Sequence, residues 1–244
     1  MKISICYWGM TRSTKFTYNS HIKYLFDILK NNNIDYDIFM HTWKTNNDEN
    51  IIWENPCNVK VDYEEYKLLN PSFYKIDDQD DFLQTINFNN YFNEELYKTY
   101  GDNINYEWIP QLILNHLCSL ESQKRVYNMV LDNSNSINNY DFIIFIRPDV
   151  ELFTDFDINW LNSSYDITLL NYDHYEGLND RFAIIPFNKS SKYAERINEI
   201  IEFRKNNGRI VSEKYVKFII NKYYNNVNFV DFKMRIKRPN GEYA

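Results

Sequence analysis

The chain has 244 residues, 44% of them hydrophobic and 25% charged, with a formal net charge of -7. That length accommodates one sizeable core, and no apolar run approaches the roughly 20 residues needed to span a bilayer. Three scattered cysteines, Cys6, Cys57 and Cys118, give neither a disulfide framework nor a structural zinc site, and the start MKISICYWGMTRS is too polar for a secretory signal, so a cytoplasmic protein with reduced thiols is expected.

The charge is unevenly spread. Residues 45–108 hold 14 acids and 4 bases, a net of -10, which leaves 23 bases against 20 acids elsewhere. This acidic insertion reads as a solvated surface segment within a single domain over 1–244, and a phosphate-bearing ligand is expected outside it. No basic stripe with interleaved aromatics appears, so nucleic acid is not an expected partner. Asparagine occurs 35 times, which deprives single Asn turn signals of weight.

In chain order, KISICYW (2–8) reads as a strand, followed by a helix over 20–30 with Ile22, Leu25, Phe26 and Leu29 on one face behind a Ser20 cap. DYDIFMHTW (35–43) is a second strand, and NVKVDY (58–63) is a candidate third. Residues 111–131 read as a long helix, and FIIFI (142–146) as a strand buried on both faces. Beyond it, 165–172 and 181–187 read as strands, and 190–206 and 212–224 as helices. Strands alternating with helices predict an α/β fold with a mostly parallel central sheet and helices on both faces, where ligands bind at the carboxyl ends of the strands.

The strand at 142–146 runs into Arg147, Pro148, Asp149, Val150 and Glu151. Alternate residues of an extended chain point the same way, so Asp149 and Glu151 are expected to share one Mg²⁺ or Mn²⁺, with other coordination positions left for phosphate oxygens. Two such acids repel each other without the ion, so neutralising either is expected to cost little stability. The alternative is a turn carrying solvated acids. With five glycines the chain has no G-x-G-x-x-G and no Walker A loop, which argues against a dinucleotide dehydrogenase and a P-loop kinase.

Four segments in order, ISICYWGMTRS, YDIFMHTW, YDFIIFIRPDVELF and NDRFAIIP, resemble the GT-A-type nucleotide-sugar glycosyltransferases of bacterial polysaccharide loci and large DNA viruses. The resemblance covers most of the chain outside the acidic insertion. It implies a GT-A-like domain acting on a nucleoside diphosphate sugar, uridine-linked by expectation, and on a glycan or glycoconjugate acceptor; a viral source would place it in the host cytoplasm. It also implies that the first strand and its loop (Trp8, Gly9, Arg12) hold the nucleotide, and that a D-x-D after a central strand binds the metal. Here the matching tripeptide ends in Glu151, a departure that puts the coordination geometry in question.

His41 and Trp43, at the end of the second strand, Arg147 and Arg235 complete the expected nucleotide contacts, with Lys233, Lys237 and Arg238 beside Arg235 in a basic segment able to fold over a diphosphate. Core packing is the alternative for Trp43, and a basic surface tail for the C-terminal segment. A base for the acceptor hydroxyl is expected at Asp180, which precedes a strand, or at Glu213, at a helix start; a turn cap and an electrostatic helix cap are the respective alternatives. Two other functions stay open: a non-catalytic glycan- or nucleotide-binding module, and a metal-dependent nucleotidyltransferase.

Overall fold

Two strands that are apolar on both faces form the centre of the sheet. β1 (Lys2–Trp8) and β4 (Phe142–Ile146) lie parallel and adjacent, Tyr7 opposite Ile146. Cys6, Trp8, Ile143 and Phe145 enter one core, while Ile3, Ile5, Tyr7, Ile144 and Ile146 enter the other, as a two-residue period requires when both faces are covered. The computed structural model describes residues 1–46, 59–95, 109–134, 140–207 and 209–244. On one side of the pair stand β2 (Asp35–Lys44) and the edge strand β3 (Phe73–Asp78). On the other stand β7 (Phe182–Pro186), β6 (Ile167–Leu170) and β8 (Val227–Val230), giving the order β3-β2-β1-β4-β7-β6-β8.

The expected α/β architecture with a mostly parallel sheet is present, with one reversal. Among the described strands of this sheet, only β7 runs against its neighbours. Its register sets Phe182 opposite Ile146, so the start of β7 meets the end of β4.

Helices cover both faces. α1 (residues 14–31) is α-helical over Thr14–His21 and Asp27–Asn31 with a π turn at Ile22–Phe26, and it buries Leu25, Phe26 and Leu29 in one core. After the short α2 (Gln79–Gln84), the long α3 (Ile109–Asn133) buries Ile113, Leu117, Leu120 and Val126 in the other, joined there by α5 (Ser212–Tyr223) through Tyr215, Val216 and Ile219. Between them α4 (residues 191–207) is broken into a four-residue helical turn, a 3₁₀ turn and an eight-residue helix rather than the one helix expected over 190–206.

Other differences have local causes. α1 begins after Ser13, not at Ser20, whose hydroxyl donates back to the Thr17 carbonyl from within the helix. Its first turns bury Thr14, Thr17 and His21, so they carry no apolar stripe. Residues 59–63 form no strand, and residue 58 lies outside the described residues; β3 takes the edge position instead. β5 (Val150–Leu152) and β9 (Met234–Ile236) make a separate antiparallel ladder that periodicity did not reveal, because three residues show no period. Among the described residues no helix is long and apolar enough to cross a membrane.

Candidate functional site

β1, β2 and β4 end at one edge of the sheet, and a cleft of about 370 Å³ opens there. Its floor is built by anchoring the first loop. The Trp8 indole donates to Ser119 Oγ (3.1 Å) and the Gly9 N–H to Ser122 Oγ (2.8 Å), both hydroxyls on α3. Gly9 has φ +93°, a conformation that side chains resist, although a Cβ would meet nothing within 4 Å. The turn then delivers Arg12 into the cleft.

Arg12 and Arg147 converge on Asp149. Arg147 donates twice, Nε to Oδ1 at 2.8 Å and Nη2 to Oδ2 at 2.5 Å, and Arg12 Nη2 approaches Oδ2 at 3.4 Å. Asp149 is 2% exposed. Burial alone would raise its pKa; Arg147, Arg12 and Arg238 outweigh that and hold it below the ordinary carboxylate value. Burial lowers Arg12 to about 10, with Asp149 opposing and Arg147 and Arg238 adding to the fall. The Arg147–Asp149 turn is itself held in place: Thr17 donates to the Pro148 carbonyl (2.7 Å), and His21 Nε2–H to that of Val150 (2.7 Å) while Nδ1 accepts from the Tyr7 hydroxyl (2.8 Å).

The reversed β7 brings the second group of acids. Asp180 lies two residues before Phe182, and the Arg147 N–H meets the Arg181 carbonyl at 3.3 Å. Glu213, in the first turn of α5, lines the same cleft. Its pKa is raised by burial and then by the charge of Asp180. The two stay together because Leu178 N–H donates to the Glu213 carbonyl (3.0 Å), while Asn179 caps the turn by accepting from the Arg181 N–H (2.9 Å).

Thus the structure gathers Trp8, Gly9, Arg12, Trp43, Arg147, Asp149, Asp180 and Glu213 at one cleft. Trp43 contributes from the core, with its indole N–H on the Cys118 carbonyl and its ring stacked on Phe82. Three expected residues lie elsewhere. His41 is fully buried, donating through Nε2 to Asp77 (3.1 Å) and accepting at Nδ1 from Ser122 (2.7 Å), so it braces the hydroxyl that holds Gly9. Glu151 sits on β5, accepts from the Tyr243 hydroxyl (2.7 Å) and pairs with Lys237 (3.3 Å). Arg235 faces it across the ladder, stacked on Tyr243 at 4.4 Å, and Lys233 pairs with Asp231. From the basic C-terminal segment, Arg238 acts on the Asp149 carboxylate through its charge, and the Lys237 N–H donates to the Asp149 carbonyl (2.8 Å). His116 and Arg209 also line the cleft and were not selected from the sequence. His116 is a helix residue with no motif around it, and Arg209 is a loop arginine like others, so no sequence signal marks them.

The donor set does not fit a divalent ion held by the protein. Such ions take about six oxygens, chiefly from carboxylates, carbonyls and water. Both Asp149 oxygens are engaged by guanidinium groups, Glu151 is paired outside the cleft, and the residue two before Asp149 is an arginine. Among the described residues no group of three or more His, Cys, Asp or Glu is placed to hold a metal. The expectation that Asp149 and Glu151 share one ion is therefore not met by their placement.

Fold and cleft together define an α/β protein with arginines and carboxylates facing each other at the carboxyl edge of its sheet. No protein-family model and no curated protein matches the chain. Among solved structures, it is similar to the galactosyltransferase LgtC in complex with donor and acceptor sugar analogs (10% identity, 94% of this chain and 73% of that one, TM-score 0.39). It is similar also to mouse xyloside xylosyltransferase 1 (7% identity, 95% and 86%, TM-score 0.39). A third is a putative glucose-1-phosphate thymidylyltransferase from Bacillus anthracis in complex with a sucrose (12% identity, 97% and 89%, TM-score 0.41). Likenesses of this degree carry no conclusion about activity, and the chemistry has to be read from the cleft.

Proposed function

We propose that the chain transfers a glycosyl group from a nucleoside diphosphate sugar to a hydroxyl of a glycan or glycoconjugate acceptor, the uridine-linked donors being the first to test. The observation that carries this reading is the meeting in one cleft of Arg12 and Arg147 with Asp180 and Glu213. Transfer breaks the bond between the anomeric carbon and the diphosphate oxygen and forms one to the acceptor oxygen, whose proton must leave. Negative charge therefore grows on the departing diphosphate, and preorganised guanidinium groups stabilise it more in the transition state than in the ground state. The raised pKa of Glu213 makes it a stronger base for the acceptor proton than an ordinary carboxylate, with its desolvation and the charge of Asp180 sustaining that basicity.

A thermal-shift panel tests the reading. UDP, GDP, ADP and dTDP, and sugars linked to each, are added with Mn²⁺ or with chelator. A ligand bound by the native state alone raises the melting temperature, by an amount that grows with its concentration over Kd. One diphosphate and its sugars are expected to do so. If the whole panel leaves the melting temperature unmoved, the reading fails.

A further inference from the structure

We propose that the acceptor is a neutral glycan received beside the acid pair, in a second hollow between α4 and α5, with one of its sugar rings stacked on the exposed side chain of Tyr175. This rests on the reading above that Asp180 and Glu213 act on an acceptor hydroxyl.

The first ground is the loop that carries Tyr175. Between β6 and β7 the chain holds Asp173 at φ +51° and Tyr175 at φ +47°, the left-handed region that a bulky side chain disfavours. The loop is nonetheless fixed on either side of the tyrosine. Asp173 accepts from Arg181 Nη1 (2.7 Å), and His174 Nδ1 accepts from the Asn179 N–H (3.3 Å). The Gly177 N–H donates to the His174 carbonyl (2.7 Å), and Glu176 pairs with Lys214. Tyr175 itself is 73% exposed and makes no hydrogen bond or ring contact among the described residues. A strained backbone held by its surroundings thus presents a side chain that packs on nothing. Tyrosine held in this way offers a large apolar face at small entropic cost, and the C–H face of a sugar ring covers such a surface.

The second ground is position. Gly177 and Leu178 lie against the Glu213 carbonyl, so the loop rests on the first turn of α5 beside the acids. Glu176 lines a hollow of about 550 Å³, a size that suits a small glycan. Arg209 lines both this hollow and the cleft, while Glu213 lines the cleft and Lys214, next to it in α5, lines the hollow. A glycan lying in the hollow therefore reaches Glu213 with one end. Phe218, packed on Phe203 at 5.3 Å, gives the hollow an aromatic wall, and Lys217 and Asn221 supply donors for hydroxyl groups.

The third ground is charge, which decides the class of glycan. Arg209, Lys214, Lys217 and Lys222 line the hollow, but Lys214 pairs with Glu176, and Lys222 pairs with Glu199 and Glu202 (2.9 Å each). Arg209 also acts on Glu176. Four cations thus face three carboxylates, and stacking and hydrogen bonds, rather than an anionic group, hold the ligand.

Saturation-transfer NMR on the full chain tests this with lactose, maltose and cellobiose as neutral probes and digalacturonic acid as the acidic one, each alone and with UDP. At least one neutral disaccharide is expected to bind. Tyr175→Ala should weaken that binding by about tenfold, the scale of one aromatic contact, and Tyr175→Phe should keep it within about twofold. The melting temperature of Tyr175→Asn should not fall, since asparagine tolerates the left-handed conformation, whereas a structural role for the tyrosine would lower it. Binding of no probe, binding of digalacturonic acid alone, or binding that Tyr175→Ala leaves unchanged overturns the proposal. Nucleoside diphosphate binding without any disaccharide bound removes this acceptor site and leaves the transferase reading standing. Disaccharide binding that Tyr175→Ala weakens, with no nucleoside diphosphate bound in the thermal-shift panel, supports the glycan site and removes the donor.

Discussion

Asp149 is a buried counter-ion, and its removal exposes what it balances. Its depressed pKa means that the charged form contributes stability above the ordinary carboxylate range, and that this contribution is lost as pH falls through the folded-state value. Asp149→Asn takes the shared carboxylate from the buried Arg12 and the part-exposed Arg147, so a loss of about 3 kcal/mol or more is expected in denaturant unfolding at neutral pH. A change near zero would contradict the ion-pair account. The nearly neutral effect expected from two repelling acids is reversed, because Asp149 and Glu151 turn to different cations. At the other acid pair, Asp180→Asn removes the neighbouring charge that helps to raise Glu213. Transfer should fall by roughly 10²-fold with nucleoside diphosphate affinity kept, and the acid limb of the pH–rate profile should move to lower pH. An unchanged rate and profile would take both residues out of the mechanism.

Among the elements, the segment from β6 to β7 decides whether the acids meet. A Cβ on Gly177 would lie 1.9 Å from the Glu213 carbonyl oxygen, so this segment touches the first turn of α5 through a position only glycine fills. Gly177→Ala should cost about 1–3 kcal/mol, as overpacking does, and lower turnover more than diphosphate binding, since Asp180 and Glu213 move while Arg12 and Arg147 do not. Unaltered melting and turnover would show that the contact is slack. The central strands and the long helix were legible in the sequence because β1 and β4 are apolar on both faces and α3 keeps a stripe over seven turns. β3 and β8 were not, since edge positions leave them half exposed and weakly alternating. Arg147 and Asp149 were readable from their place at the end of an oily strand. Glu151 was misread because the chain enters β5 at Val150, and the ladder with β9 sets the direction of its side chain. Arg238 gains its role through a return of the chain over more than 80 residues, which no local pattern encodes.

For the whole molecule, His21 and His41 are buried and His116 is packed into the cleft wall, and desolvation lowers all three to about 4, from an ordinary value of 6.5. A depressed histidine pKa means that the unfolded chain binds protons the folded one refuses. Stability is therefore fully present above about 6.5 and is lost as pH falls towards 4, with a slope approaching 4 kcal/mol per pH unit if all three protons act together. Asp77, brought down to about 2 by Arg125 and His41 against its own burial, extends the loss below the carboxylate range. Melting temperatures across pH 4–8 check this, and a flat profile would contradict the desolvation of the three rings. The central claim is that the cleft cleaves the bond between a sugar and a nucleoside diphosphate, and it is tested most directly by incubating the chain with nucleotide sugars in the absence of acceptor and measuring free diphosphate and free sugar. The account predicts slow release of both from one donor class, continuing in chelator and reduced by Arg147→Gln. Intact nucleotide sugars, with pyrophosphate released instead from a nucleoside triphosphate, would contradict it.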